Sequence, residues 1–472
     1  MSRPRRGGPS SGAADRRGPS RRGATAPATE QLATLRVEGI AGGGDGVARL
    51  DGMATFVPRT APGDVVQAAV AVHGRMARGR MLQLLEASPV RVEPGCPHYA
   101  GDLCGGCQLQ HLAPEAQQAA RTRLVAEALA RIGKRRVDPP PLVTGAEWGY
   151  RGRITVALRR RGGRWRGGFH PYDDPSRIFD LRQCAIADPR LMHVWERLRA
   201  LLAVAALPEA DTLRLGLRLA PRGLDVAPAR EAPTGEGPTG VVLVVEGGER
   251  WAASAAWGRE VLGALPEVLA CWWRPEGRPE AICVAERAGE ATAVAMAFAQ
   301  VHAPLADRLR DEVARVVLAS GARTVVDAYA GVGRLAVRLQ AAGVGGVAIE
   351  ADRVGADAAR TALARPAGTG AGRPPWRVET ALVEEALTAA LPAEAVVVNP
   401  PRRGVAPAVC DQLEAAATRG TRLLVYVSCD PATLARDLVR LPGWRIADMT
   451  CFDLFPQTAH VETVCVLQPE GA

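Results

Sequence analysis

Residues 325–337, VVDAYAGVGRLAV, run an apolar strand into a glycine-rich loop that opens a helix. Glycines let a backbone approach a ligand closely, and the carboxyl end of a strand is where open α/β sheets bind ligands. Glu350 in VAIEAD ends the next strand, where a carboxylate can accept both hydroxyls of a ribose. A dinucleotide site fits less well. Its fingerprint needs G-x-G-x-x-G, whereas Gly331 and Gly333 are followed by Leu335, Ala336 and Val337 with no third glycine. Outward from this loop, strands alternate with helices from about residue 302. GGVAIEAD, EAVVVNPPRRG and RLLVYVSCDP are strand-like, with helices near 407–419 and 431–440 and final strands after them. This alternation predicts an α/β domain, Rossmann-like, built on a parallel doubly wound sheet.

A chain of 472 residues is too long for one hydrophobic core. Residues 1–30 are basic, Gly/Pro/Ser-rich and without an apolar core segment, which predicts a disordered arm and no secretory signal. Residues 31–88 alternate apolar and polar positions between glycine turns, the pattern of a small β-barrel. Residues 89–298 read as a mixed α/β central domain with a cysteine cluster and a Pro/Gly-rich loop at 227–240. Residues 299–472 form the ligand-binding domain. No apolar run is long enough to cross a bilayer, so the expected state is a cytoplasmic monomer with no membrane partner. The net charge is +9, carried by arginine, with Lys134 the only lysine. Arginine pairs well with phosphate, and the balance points to nucleic acid.

Cys429 ends the apolar strand of LLVYVSCDPATLARDL and precedes a helix, whose N-terminal dipole stabilises thiolate. A buried structural cysteine is the competing reading. Glu462, in DLFPQTAHVETVCVL, is an acid flanked by Val461, Val464 and Val466 in a strand-like run, an unusual place for an idle carboxylate. Cys96, Cys104 and Cys107 have C-x7-C-x2-C spacing, and Cys184 follows in LRQCAIAD. Four thiolates suit structural zinc or a 4Fe–4S cluster, and spacing alone does not choose. Arg151, Arg153, Arg159, Arg160, Arg161, Arg164 and Arg166 are interleaved with Tyr150, Trp165 and Phe169, a pattern that suits phosphate contact with base stacking as well as a solvated face.

These motifs resemble those of the RNA uracil-5-methyltransferase family, from about residue 32 to the end and least over 193–295. VEGIAGGGDGVARLDG and FVPRTAPGD resemble a TRAM domain, an OB-like RNA-binding barrel. VSCDPATLARD and D-x-F-P-x-T-x-H-V-E resemble the family's catalytic motifs. The resemblance implies Cys429 as nucleophile on uracil C6 and Glu462 as the base that takes the C5 proton, with His460 beside it. The glycine loop resembles motif I of class I methyltransferases, and FAQVH resembles the F-x-Q-V-N signature, with His302 in place of Asn. S-adenosylmethionine is then the implied cofactor, with Gln300, Asp327, Tyr329, Gly331, Gly333, Glu350 and Asn399 as its binding residues. Asn399 departs from the family's usual Asp-Pro-Pro-Arg. Asn-Pro-Pro is also similar to loops of methyltransferases acting on nitrogen, which gives a second reading; a non-catalytic RNA-binding protein is a third. CGGCQLQH with a distant cysteine resembles the iron–sulfur segment of the ribosomal RNA branch. That implies a structural 4Fe–4S cluster on Cys96, Cys104, Cys107 and Cys184 rather than zinc, and 23S ribosomal RNA as substrate rather than transfer RNA.

Overall fold

The computed structural model describes residues 30–221, 239–288, 292–364 and 375–471. The expected basic arm, apart from Glu30, and most of the Pro/Gly-rich loop lie outside these. Five strands close into the N-terminal barrel: β1 (Gln31–Ile40), β2 (Gly46–Leu50), β3 (Met53–Val57), β4 (Val65–His73) and β5 (Met76–Glu86), in the order β1-β2-β3-β5-β4. The alternation puts Leu35, Val57, Val66, Ala68 and Val70 inside. Closure removes the sheet edges that short strands would otherwise expose.

Helices α1 (Pro97–Gly101) and α2 (Pro114–Arg131) and the short strand β6 (Leu142–Val143) come next. The central sheet then takes β7 (Arg153–Arg161), β8 (Arg164–Phe169), β9 (Phe179–Asp180), β10 (Thr212–Pro221), β11 (Thr239–Glu246), β12 (Val268–Arg274) and β13 (Ile282–Glu286). Helix α3 (Pro189–Leu202) packs on it through Leu191, Val194, Trp195 and Leu198, and α4 (Ser254–Ala264) through Trp257 and Val261.

The C-terminal domain runs α5 (Ala303–Ala319), β14 (Thr324–Ala328), α6 (Arg334–Ala341), β15 (Gly345–Ile349), α7 (Arg353–Leu363), β16 (Trp376–Glu379) and α8 (Val383–Ala390). It continues with β17 (Ala395–Val398), α9 (Pro407–Ala417), β18 (Leu423–Ser428), α10 (Pro431–Val439), β19 (Trp444–Phe452) and β20 (Glu462–Pro469). The sheet order is β16-β15-β14-β17-β18-β20-β19-β6, with β14 to β18 parallel and β20 antiparallel to β18. Strands β17 and β18 are buried throughout and nearly all apolar because helices cover both faces of the parallel part. The strand order reverses between β14 and β17, the crevice where such sheets take ligands.

Although α2 and β6 precede the central sheet in the chain, they pack with the C-terminal one. Val125 and Leu129 join Leu434 and Leu438 in its core, and β6 pairs with β19. Among the described residues no helix is long and apolar enough to cross a membrane.

Candidate active site

Four neighbouring strand ends, of β15, β14, β17 and β18, build the site. At the end of β14, Tyr329 takes φ 63°, a left-handed conformation that costs a side-chain-bearing residue about 1–2 kcal/mol. Gly331 and Gly333 follow at φ 57° and 75°. A Cβ on Gly333 would lie 2.8 Å from the Ala359 Cβ, whereas one on Gly331 would meet open space. Gly331 is thus free for the approach of a ligand, while Gly333 packs the loop against α7. Glu350 locks the loop: Oε2 accepts from Gly331 N at 2.7 Å, and Oε1 accepts from Asp352 N at 2.7 Å. Each carboxylate oxygen keeps a second lone pair for a hydroxyl. Asp327 is buried, its Oδ2 has no partner among the described residues, and burial, then Glu350, pushes it up to about 7. An orphaned acid under an open glycine loop fits the charged amino-acid end of an adenosyl ligand.

Gln300 lies half-buried just before α5. His302 caps that helix: Nδ1 accepts from Leu305 N at 3.4 Å, Nε2 faces Ala146 O at 3.2 Å, and the ring stacks on Tyr150. These roles require the neutral tautomer with its proton on Nε2, in keeping with burial holding its pKa down. The departure from Asn thus retains an N-cap acceptor.

Asn399 ends β17, and its backbone N donates to Ala328 O at 3.2 Å, so the Asn-Pro-Pro turn sits against the glycine loop. The turn is fastened from below by buried Asp437, whose Oδ2 accepts from Val405 N at 3.1 Å and from Tyr426 Oη at 2.7 Å. Cys429 leaves β18 half-buried, one residue beyond the Ser428–Thr463 pair of the β18–β20 ladder. Continuing that register sets Cys429 opposite Glu462, the first residue of β20. Burial, then Glu462, pushes the Cys429 thiol up to about 11, and Arg402 pulls it back. Glu462 is 1% exposed, its Oε2 has no partner among the described residues, and burial raises it to about 8 against the pull of Arg402. Arg402 also reaches His460 Nε2 at 3.4 Å. Reading the sequence assigned Arg402 no role, although it stands in the quoted N-P-P-R run.

Cys96, Cys107 and Cys184 share an apolar cluster with Tyr99, Tyr150 and Ile186, and Cys104 lies within electrostatic reach of Cys184 and Cys96. All four are free thiols. They gather in one region, yet among the described residues no three His, Cys, Asp or Glu side chains close to the geometry of a metal-ion site. In the basic run, Arg160, Arg161, Arg164 and Arg166 are exposed around the β7–β8 turn. The expected aromatic interleaving needs correction. Trp165 is buried in the central core and Tyr150 beside the cysteines, because both rings are more stable out of water than on a charged face.

The parallel sheet and its glycine loop define a class I methyltransferase fold. A solved structure of similar fold is the Pyrococcus abyssi tRNA (uracil-54, C5)-methyltransferase in complex with S-adenosyl-L-homocysteine, with TM-score 0.64 and 21% identity, covering 92% of this chain and 99% of that one. The family model for tRNA (uracil-5-)-methyltransferase matches residues 384–470, which hold the Asn-Pro-Pro turn, Cys429 and Glu462. The 23S rRNA (uracil(1939)-C(5))-methyltransferase of Thiobacillus denitrificans is 31% identical over 459 residues, covering 90% of this chain and 97% of that protein. An RNA methyltransferase of Gloeobacter violaceus is 34% identical over 466 residues, covering 93% and 96%. The chain belongs to the RNA uracil-5-methyltransferase family.

Proposed function

We propose that this protein transfers a methyl group from S-adenosylmethionine to C5 of a uridine in 23S ribosomal RNA, with Cys429 as nucleophile and Glu462 as base. The observation that carries the reading is the β18–β20 register, which, continued by one residue, sets a thiol opposite a buried carboxylate whose Oε2 has no partner among the described residues, one strand away from the Asn399 turn. The cofactor supplies an electrophilic methyl group on a sulfonium. Gly331, Gly333, Asp327, Tyr329, Glu350, Gln300 and Asn399 are the residues proposed to hold it.

Uracil C5 is too weak a nucleophile to take that methyl group unaided. Cys429, as thiolate, forms a bond from Sγ to C6, and the C5–C6 π electrons move toward O4 as an enolate. S-adenosylmethionine, held by the residues named above, would supply its methyl carbon to C5 and leave as the neutral thioether. Glu462 removes the C5 proton, the C5–C6 double bond re-forms, and the thiolate leaves. Arg402 stands where it can favour the anionic forms of both residues in turn. A carboxylate raised to about 8 is a stronger base once ionised than an exposed one. The nitrogen-methylation reading of Asn399 leaves this pair without a task.

The exposed arginines of the β7–β8 turn supply phosphate contacts. The ribosomal target rests on the named relatives. The four free cysteines are proposed as ligands of a structural 4Fe–4S cluster, for which a soft all-thiol donor set is suited. Visible absorbance of anaerobically purified protein, lost in Cys104→Ser, tests that assignment; a colourless protein containing zinc overturns it. The function is tested with RNA carrying 5-fluorouridine, which has no removable C5 proton. A covalent adduct is expected with wild type and none with Cys429→Ala. An adduct that survives this substitution refutes the nucleophile.

A further inference from the structure

Glu462 is the first residue of β20, paired with Phe452 of β19, and its Oε2 has no partner among the described residues. The other constraint on its aim is the backbone that leads into it, residues 453–461. That segment is held from outside its own sheet. Tyr150 Oη donates to Pro456 O at 3.0 Å, and Arg121 Nη1 donates to Thr458 O at 3.0 Å. The densest knot is Gln457. Its backbone N donates to Gln117 Oε1 at 3.2 Å, and its Oε1 accepts from Gln117 Nε2 at 2.9 Å. Its carbonyl accepts from Gln108 N at 3.1 Å and Leu109 N at 3.0 Å, the two residues after Cys107. Both glutamines are 3% exposed. Gln457 also takes φ 69°, a conformation that a side-chain-bearing residue keeps only where its surroundings over-determine it.

We propose that Gln117 and Gln457 are a positioning pair: through them α2 sets the reach of Glu462 toward the C5 proton of the bound uracil. The inference rests on Glu462 being the base. Buried polar groups are costly unless paired, so a reciprocal side-chain pair at this depth holds one geometry firmly. Proton transfer needs heavy atoms within hydrogen-bond reach, and a displacement of the order of 1 Å costs about 100-fold. The pair should therefore govern the step that follows methyl transfer and leave the steps before it intact.

The test uses full-length protein, methyl-labelled S-adenosylmethionine and two RNAs, one tritiated at uracil C5 for release and one carrying 5-fluorouridine for the adduct. Methyl incorporation into the trapped adduct and tritium release are followed separately for wild type, Gln117→Ala, Gln457→Gly and Glu462→Gln. Glycine suits the positive φ at 457, so Gln457→Gly removes the side chain with little backbone penalty. In Gln117→Ala and Gln457→Gly, release is expected to slow about 10- to 100-fold while adduct methylation stays within about 3-fold of wild type. The double variant should be no worse than Gln117→Ala, which already removes both bonds of the pair, whereas Gln457→Gly keeps the one from its backbone N. Parallel losses in both signals, or none, with release blocked in Glu462→Gln, overturn the positioning pair alone. Release at the wild-type rate in Glu462→Gln overturns the base, and the pair with it.

Discussion

Arg121 and Asp453 make a buried ion pair at 2.6 Å, with side-chain exposures of 2% and 4%, between α2 and the end of β19. Replacing Arg121 with Met removes the charge and keeps most of the volume. Asp453 already sits at about 6, because burial raises it more than Arg121 lowers it. Without the guanidinium it must stay charged and unpaired or take a proton. Wild type already carries the carboxyl at about 6, so holding it protonated at pH 7 adds about one pH unit beyond wild type, about 1.4 kcal/mol. Leaving buried groups uncompensated adds to this: deleting one partner of a buried pair costs about 3–5 kcal/mol in all, and the Thr458 carbonyl loses a donor as well. The expected loss is therefore about 4 kcal/mol at pH 7, large beside a net stability of about 5–15 kcal/mol. The pH dependence follows from the raised carboxyl. A group whose folded value lies above its ordinary one favours the folded state below that ordinary value, and the contribution fades as pH rises through the folded value. The deficit of Arg121→Met relative to wild type should accordingly be smallest below about pH 6, where Asp453 is neutral in both folded proteins, and grow as pH rises through that value, by about 1.4 kcal/mol at pH 7. Urea unfolding followed by circular dichroism from pH 4 to 8 measures it. Arg121→Met/Asp453→Leu, which removes both charges, should recover most of the loss. A deficit under about 1 kcal/mol at pH 7, a deficit flat with pH, or a double variant no better than the single refutes the reasoning.

Because Glu462 must be ionised to take a proton and burial raises it to about 8, tritium release should climb with pH between about 7 and 9; a profile flat over that range removes it as the base. Asp327→Asn relieves a buried carboxylate, so melting temperature should hold or rise while S-adenosylhomocysteine binding weakens about 10-fold by calorimetry, and unchanged affinity refutes the contact. Gly333→Ala adds a Cβ 2.8 Å from Ala359 at φ 75°, which should cost about 1–2 kcal/mol and loosen the same ligand; wild-type stability contradicts the strain argument.

Local signals carried much of this protein. Apolar runs ending in turns, the glycine loop of 331–333 and the cysteine before a helix are short-range patterns, and each depends on neighbours a few residues away. They were sufficient for the parallel sheet, and for placing Asp327, Asn399 and Cys429 at strand ends. The neutral state of His302 was invisible because the groups that hold its ring, Ala146 and Tyr150, lie far away in the chain. Trp165 was misread because strand alternation assigns a face but not which face is buried. What only the tertiary structure decided is the company that Glu462 keeps. An antiparallel register brings it opposite Cys429, and a helix more than three hundred residues upstream holds the loop before it through Gln117 and Arg121. Such pairings depend on which surfaces meet after the chain has folded, and no periodicity in the sequence records them.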